Sequence, residues 1–333
     1  MKILAIVLAG GEGTRLHPLT ADHPKPAVPF VDGYRIIDFV LSNLVNSGIA
    51  PVYVVGQYKP EPLVRHIATA WSRWSRDPER SIRVVLPGEA GAATRFKGTA
   101  DAVYQNLHLI RQQRPDLVAV FAADHVYRMD VRQMVEFHRT RNADVTVAAV
   151  PVPIHAASSF GVLRTDAEDR IVQFQEKPAQ PAPAVHDATQ AQVSMGNYLF
   201  DPDVLIGLLE AAVEQGLVDF GRDVMPALPN CCRVFAYNFT RNEVPGIKPY
   251  EERAYWRDVG TIESLAAARN DVIGPRPRFD LWNQRWPIHG EGRSELFRTL
   301  ADWNTRSIGP TAGPRLARGG GTARHSAGPA PSN

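Results

Sequence analysis

The stretch Ile3 to Pro26, ILAIVLAGGEGTRLHPLTADHPKP, constrains this chain more than any other. Its run of small and β-branched apolar residues reads as a strand buried on both faces, and it ends abruptly in Gly10, Gly11 and Gly13. Glycines let backbone N–H groups crowd round an anion with no Cβ in the way. Arg15 and Lys25 add the positive charge that a polyphosphate requires. A nucleoside triphosphate is the implied ligand, although the glycines alone are better explained as a tight turn joining a core strand to its helix. Two better-known phosphate loops are excluded: no GxxxxGK[ST] occurs, and a GxGxxG frame begun at Gly11 fails at Leu16.

From there, apolar strands and amphipathic helices alternate through the first 150 residues. Strands are expected at Pro51–Val55, Ile82–Leu86, Leu117–Ala122 and Val145–Val150. Helices are expected at Arg35–Asn46, with Gly48 as C-cap, and at Glu61–Ala70 and Val131–Arg141. One further helix is expected over Gly98–Arg111, entered through Thr99. That rhythm predicts a Rossmann-like doubly wound α/β domain, a mostly parallel sheet with helices on both faces. Past Val150 short strands dominate, at Phe160–Arg164, Ile171–Gln175 and Val193–Phe200. Helices at Val204–Glu214 and Asp219–Leu228 and a strand at Arg233–Phe239 follow. Tyr255–Val259 then leads into a helix Ile262–Val272 capped by Thr261.

A formal net charge of +2 in 333 residues gives no case for nucleic acid, and no apolar run reaches membrane-spanning length. No signal-peptide pattern is recognised at the N-terminus, so a cytoplasmic protein is expected. The two cysteines, Cys231 and Cys232, are adjacent, so a mutual disulfide would be strained. They are expected to be small residues beside a strand.

Asp124 follows the strand VAVFAA, where open α/β sheets place ligands, and Asp258 lies in WRDVGT just before a helix. Read alone, either is as well explained as a turn former or cap. Glu176 and Lys177 of FQEKP offer a hydroxyl acceptor and a phosphate cation, or only a solvated pair; Pro178 biases Lys177 towards extended backbone.

Taken together, LAGGxGTRL…KP resembles the signature of sugar-nucleotide pyrophosphorylases, which have a glycosyltransferase-A-like nucleotidyltransferase fold. KPAVPF, YRIIDFVLSN, GTADAVYQN, ADHVYRMD, YWRDVGT and NQRWPI resemble segments of one branch, the ADP-glucose pyrophosphorylases. The resemblance implies ATP plus glucose-1-phosphate giving ADP-glucose and pyrophosphate, in storage-glucan synthesis. It implies catalytic roles for Arg15, Lys25 and Asp124, and Mg²⁺ held by Asp124 and Asp258. It places the nucleotide at Leu8, Gly10, Gly11, Gly13, Thr14, Arg15, Gly98 and Asp101, and further substrate contacts at Phe96, Gly161, Glu176, Lys177 and Ser194. ATP and glucose-1-phosphate are the implied partners, with a homo-oligomer among the allowed states. Two alternatives stay open: another nucleoside triphosphate, or a non-catalytic sensing homologue.

The sequence departs from that branch in four places. VVLPGEAGAATRFK lacks the glutamine that relatives carry near the adenine. Phe96 stands where they often have tyrosine, and Gly33 where many have an activator-binding lysine. After WPI no hexapeptide repeat follows, although relatives continue into a left-handed β-helix. The expected division is a catalytic domain over 1–275, an extension over 276–305 and a disordered tail over 306–333.

Overall fold

A computed structural model of the chain describes residues 1–74, 81–88, 95–185 and 187–290. The spacing of Leu296, Phe297, Leu300 and Trp303 would allow one amphipathic helix over Glu291–Asn304, but it and the tail beyond lie outside the described residues.

Strand β1 (Ile3–Leu8) sits inside the sheet because both its faces are apolar. Leu4 and Ile6 enter one core cluster, while Ala5 and Val7 enter the other. Its neighbours are β2 (Val52–Val55) and β4 (Leu117–Ala122), both parallel, and β3 (Ile82–Val85) runs parallel beyond β2. Strand β6 (Val145–Pro153) pairs in parallel with β10 (Val234–Asn238). Between β4 and β6 lies β9 (Gln190–Phe200), antiparallel to both, and β7 (Gly161–Thr165) with β8 (Ile171–Glu176) branches from it. The sheet is mostly parallel, as expected, with this antiparallel insertion. Side chains from α1 (Ile37–Asn46), α2 (Glu61–Ala70) and α5 (Val131–Thr140) cover one face. Those of α3 (Thr99–Tyr104), α4 (Leu107–Gln113) and α6 (Pro202–Glu214) cover the other.

Local chemistry explains where elements begin and end. Gly48 takes φ 72 after α1 and donates to the Val45 carbonyl, the left-handed stop expected of it. Thr261 caps α8 (Ile262–Asp271) through a reciprocal pair with Ser264. Three expectations are corrected. The single helix over Gly98–Arg111 is broken, because the Asn106 amide donates to the Ala102 carbonyl at 2.8 Å and competes with the backbone ladder. Thr99 does not cap α3: its hydroxyl donates to Asp219 and accepts from the Phe220 N–H, tying the helix start to a distant loop. The helix expected over Asp219–Leu228 is a π-turn at Phe220–Val224 followed by α7 (Leu228–Cys231). Cys231 and Cys232 are free thiols.

The sequence reading missed β5 (His125–Tyr127), which pairs antiparallel with β11 (Trp256–Asp258) outside the main sheet. This ribbon rests on a third core cluster, where Leu16, Val126, Val259, Leu265, Phe279 and Leu281 meet. Burying a side chain such as Leu16 is worth about 2 kcal/mol. The cluster therefore ties the glycine loop to β5 and to the residues on either side of β11. Arg128, just past β5, donates to Glu251 at 3.0 Å and lies 4.2 Å over the Phe279 ring, clasping residues 251–280 to the same ribbon.

One buried group outside the site carries a pH signature. His138 on α5 sits 2.9 Å from the Thr146 hydroxyl, and burial holds its imidazole below the usual 6.5 against the pull of Asp201 and Asp144. The fold favours the neutral ring, so this contribution to stability is full above the unfolded value and declines as pH falls towards the folded one. His138→Gln is expected to flatten the fall in Tm between about pH 7 and pH 5. Tm measured across that range on both proteins checks it.

Candidate active site

The glycine loop leaves β1 at the edge of a cavity of about 530 Å³. Gly13 takes φ 66, and a Cβ there would lie 2.8 Å from the Cβ of Lys25. Glycine is therefore required twice, for conformation and for close approach. The turn Thr14–Leu16 follows, with Leu16 buried and Arg15 projecting towards the ribbon. A Cβ on Gly260 would stand 3.1 Å from an Arg15 guanidinium nitrogen and 3.0 Å from an Asp258 oxygen.

Lys25 is the centre of the arrangement. Its Nζ lies 3.0 Å from Asp124 Oδ2 and 3.2 Å from Asp258 Oδ1, with the lysine side chain only 9% exposed. Burial by itself would raise the Asp124 carboxyl, but the His125 ring and the Lys25 ammonium outweigh it and bring it down to about 2. Asp124 is thus an anion throughout the neutral range. Carboxylate oxygens of Asp124 and Asp258 and a ring nitrogen of His125 all lie within 4.8 Å of one another, close enough to share one divalent cation.

Glycine contacts also shape the opposite wall. A Cβ on Gly161 would strike the Phe174 ring at 2.5 Å, and one on Gly221 would meet Glu176 Oε2 at 2.8 Å. Glu176 is thereby lodged between two glycines. Lys177 Nζ donates to Glu176 Oε1 at 2.7 Å, and its side chain is 63% exposed. The expected extended backbone at Lys177 is corrected: φ is 44, because its N–H continues the β7–β8 ladder to the Phe160 carbonyl before the chain turns away at Pro178. Such a left-handed residue costs about 1–2 kcal/mol. Ser194 lies deeper, its hydroxyl 3.3 Å from that of Tyr198, whose own phenol burial pushes up to about 12.

Leu8, Gly10, Gly11, Arg15, Lys25, Phe96, Gly98, Asp124, Gly161, Glu176, Lys177, Ser194 and Asp258 all line this one cavity. Gly13, Thr14 and Asp101 do not. Gly13 backs Lys25, and Asp101 accepts from the Lys97 N–H and the Gln105 amide, both at 2.7 Å. Gln57 was missed. It enters from the loop after β2 and brackets the Phe96 backbone, accepting from its N–H at 2.5 Å and donating to its carbonyl at 3.2 Å. Its position past the carboxyl end of a parallel strand was the available signal. His125, Asp219 and Gly221 also line the cavity unforeseen, and no local pattern marks them.

The profile of the family described as "Nucleotidyl transferase" matches residues 4–273. A glucose-1-phosphate adenylyltransferase of Thermodesulfovibrio yellowstonii is 52% identical over 289 residues, 86% of this chain and 70% of that protein. Enzymes of the same name from Thermus thermophilus and Anaeromyxobacter dehalogenans are 47% and 48% identical over 86% of this chain, covering 71% and 70% of their own lengths.

Proposed function

The chain belongs to the nucleotidyl transferase family, and from that premise we propose that it transfers AMP from ATP to glucose-1-phosphate, forming ADP-glucose and releasing pyrophosphate for storage-glucan synthesis. The observation that carries this reading is the Asp124–Lys25–Asp258 cluster. It stands in one cavity between the glycine loop and the wall of Gly161, Glu176, Lys177 and Ser194. One wall suits a triphosphate and the other a sugar phosphate.

In the reaction, a phosphate oxygen of glucose-1-phosphate forms a bond to the α-phosphorus of ATP, and the bond from that phosphorus to the bridging oxygen of pyrophosphate breaks. Two anions must approach, so the protein's task is neutralisation and alignment. Backbone N–H groups at Gly10 and Gly11, with Arg15, take the β- and γ-phosphates. Lys25 faces the reacting phosphate. Lys177 takes the sugar phosphate, and Glu176 and Ser194 accept and donate to sugar hydroxyls. Phe96, fixed through Gln57, offers a face on which the base stacks. Asp124 and Asp258 would hold a divalent cation, Mg²⁺ in this reading, which supplies charge neutralisation at the phosphates. Two carboxylates, one of them kept ionised, fit such an ion.

Among the described residues no helix is long and apolar enough to cross a membrane. A cytoplasmic location and homo-oligomeric assembly belong to the same proposal. The test is pyrophosphate release with glucose-1-phosphate and Mg²⁺ across ATP, dTTP, UTP, CTP and GTP. Preference for ATP supports the reading, whereas a flat profile or no turnover overturns it.

Lys177→Ala is expected to raise KM for glucose-1-phosphate about tenfold or more and to leave KM for ATP nearly unchanged. Its exposed pairing with Glu176 contributes little to stability, so Tm should hold. Initial rates with each substrate varied in turn decide this. Equal weakening of both would move Lys177 away from the sugar phosphate.

A further inference from the structure

The site holds one side chain for which neither the carboxylate pair nor Lys25 accounts. His125 is 9% exposed, lines the cavity, and its Nδ1 is buried without a hydrogen-bond partner. A buried ring nitrogen left unsatisfied costs free energy unless something binds it. Its neighbours supply the context. In the β5–β11 ribbon His125 stands directly opposite Asp258, which puts the two side chains on the same face. The ring lies 5.0 Å from Trp256 in a tilted stack.

The distances match a coordination shell. His125 Nδ1 is 3.2 Å from Asp124 Oδ1 but makes no hydrogen bond to it. Two donors in neighbouring positions round an octahedral ion with bonds of about 2.1 Å stand about 3 Å apart. Lys25 takes Oδ2 of Asp124 and Oδ1 of Asp258, so the opposite oxygen of each carboxylate is turned from the ammonium.

We propose that His125 Nδ1 is a third protein ligand to the divalent cation shared by Asp124 and Asp258, giving a two-carboxylate, one-imidazole site that favours Mn²⁺ or Co²⁺ over Mg²⁺. Imidazole nitrogen suits the later divalent ions better than it suits Mg²⁺, which prefers oxygen. This rests on the carboxylate pair of the proposed function and adds to it a nitrogen ligand and a metal preference.

The test is electron spin echo spectroscopy of Mn²⁺ bound to the full chain, with a non-hydrolysable ATP analogue present, comparing unlabelled protein, protein carrying ¹⁵N-histidine, and His125→Asn. The expected result is a directly coordinated nitrogen whose signal changes with the ¹⁵N label and disappears in His125→Asn. Mn²⁺ affinity in that variant should fall by on the order of tenfold or more, the scale on which losing even an outer partner of a ligand is felt. Mg²⁺ should displace Mn²⁺ more easily from His125→Asn than from the unsubstituted protein. Mn²⁺ bound with oxygen ligands alone would overturn the histidine assignment and leave the carboxylate pair standing. Failure to bind Mn²⁺ with the analogue present would overturn both. Circular dichroism of His125→Asn guards against misfolding, and the isotope comparison needs no variant at all.

Discussion

Asp124→Asn is expected to lower kcat for ADP-glucose synthesis by several orders of magnitude while Tm stays close to that of the parent. The carboxylate stands past the end of β4 with its side chain 37% exposed, and it fills no position in the three core clusters. The amide preserves size but turns one acceptor oxygen into a donor and removes the negative charge that faces Lys25. A cation held by Asp258 and a neutral amide would sit more loosely at the point where two phosphates converge. Each tenfold loss in rate corresponds to about 1.4 kcal/mol of barrier. Pyrophosphate release under saturating substrates, with thermal melts of both proteins, gives the answer. Retention of more than about a tenth of the parent rate would remove Asp124 from the reacting centre.

The second large effect is expected at Lys25. Lys25→Met keeps the aliphatic stem that packs against Gly13 but deletes the ammonium between Asp124 and Asp258. Two carboxylates would then face each other, and the Asp124 carboxyl should rise from about 2 because the Lys25 ammonium that helps to hold it down is gone. Loss of a preorganised charge at a reacting centre typically costs about 10²–10³ in kcat. Lys25→Arg should recover little, since a planar guanidinium cannot occupy the compact position of an ammonium pinched between two carboxylates. Both variants require kcat and the separate KM values. A rise in KM for ATP with kcat unchanged would show that Lys25 only binds the ground state.

How far the sequence reaches can be judged from particular residues. β1 is legible because both its faces are apolar, α2 because its apolar positions recur with helical period, and the start of α8 because Thr261 and Ser264 satisfy each other's backbone within one turn. These signals are local: burial and capping act over a few residues and leave their period in the chain. Asp124 was legible for a related reason, since the carboxyl end of a parallel strand is where such sheets bind ligands. The corrections arise where a distant partner outcompetes local preference. Thr99 looks like a cap until Asp219 and Phe220 claim its hydroxyl. The extended bias before Pro178 yields at Lys177 to the hydrogen bond that its N–H donates to the Phe160 carbonyl beside β7.

The sequence by itself determined a glycine loop after a buried strand, an alternation that folds into a mostly parallel sheet, and the kinds of residue available to neutralise phosphates. Only the tertiary structure decided which of them meet. Lys25 and Asp258 are 233 residues apart, yet 3.2 Å separates their side chains. Gln57 reaches Phe96 from the loop after β2, and the β5–β11 register sets His125 against Asp258. Such meetings depend on strand order, crossover and register, which are settled by burial summed over the whole core, so no window of sequence around any one of these residues contains them.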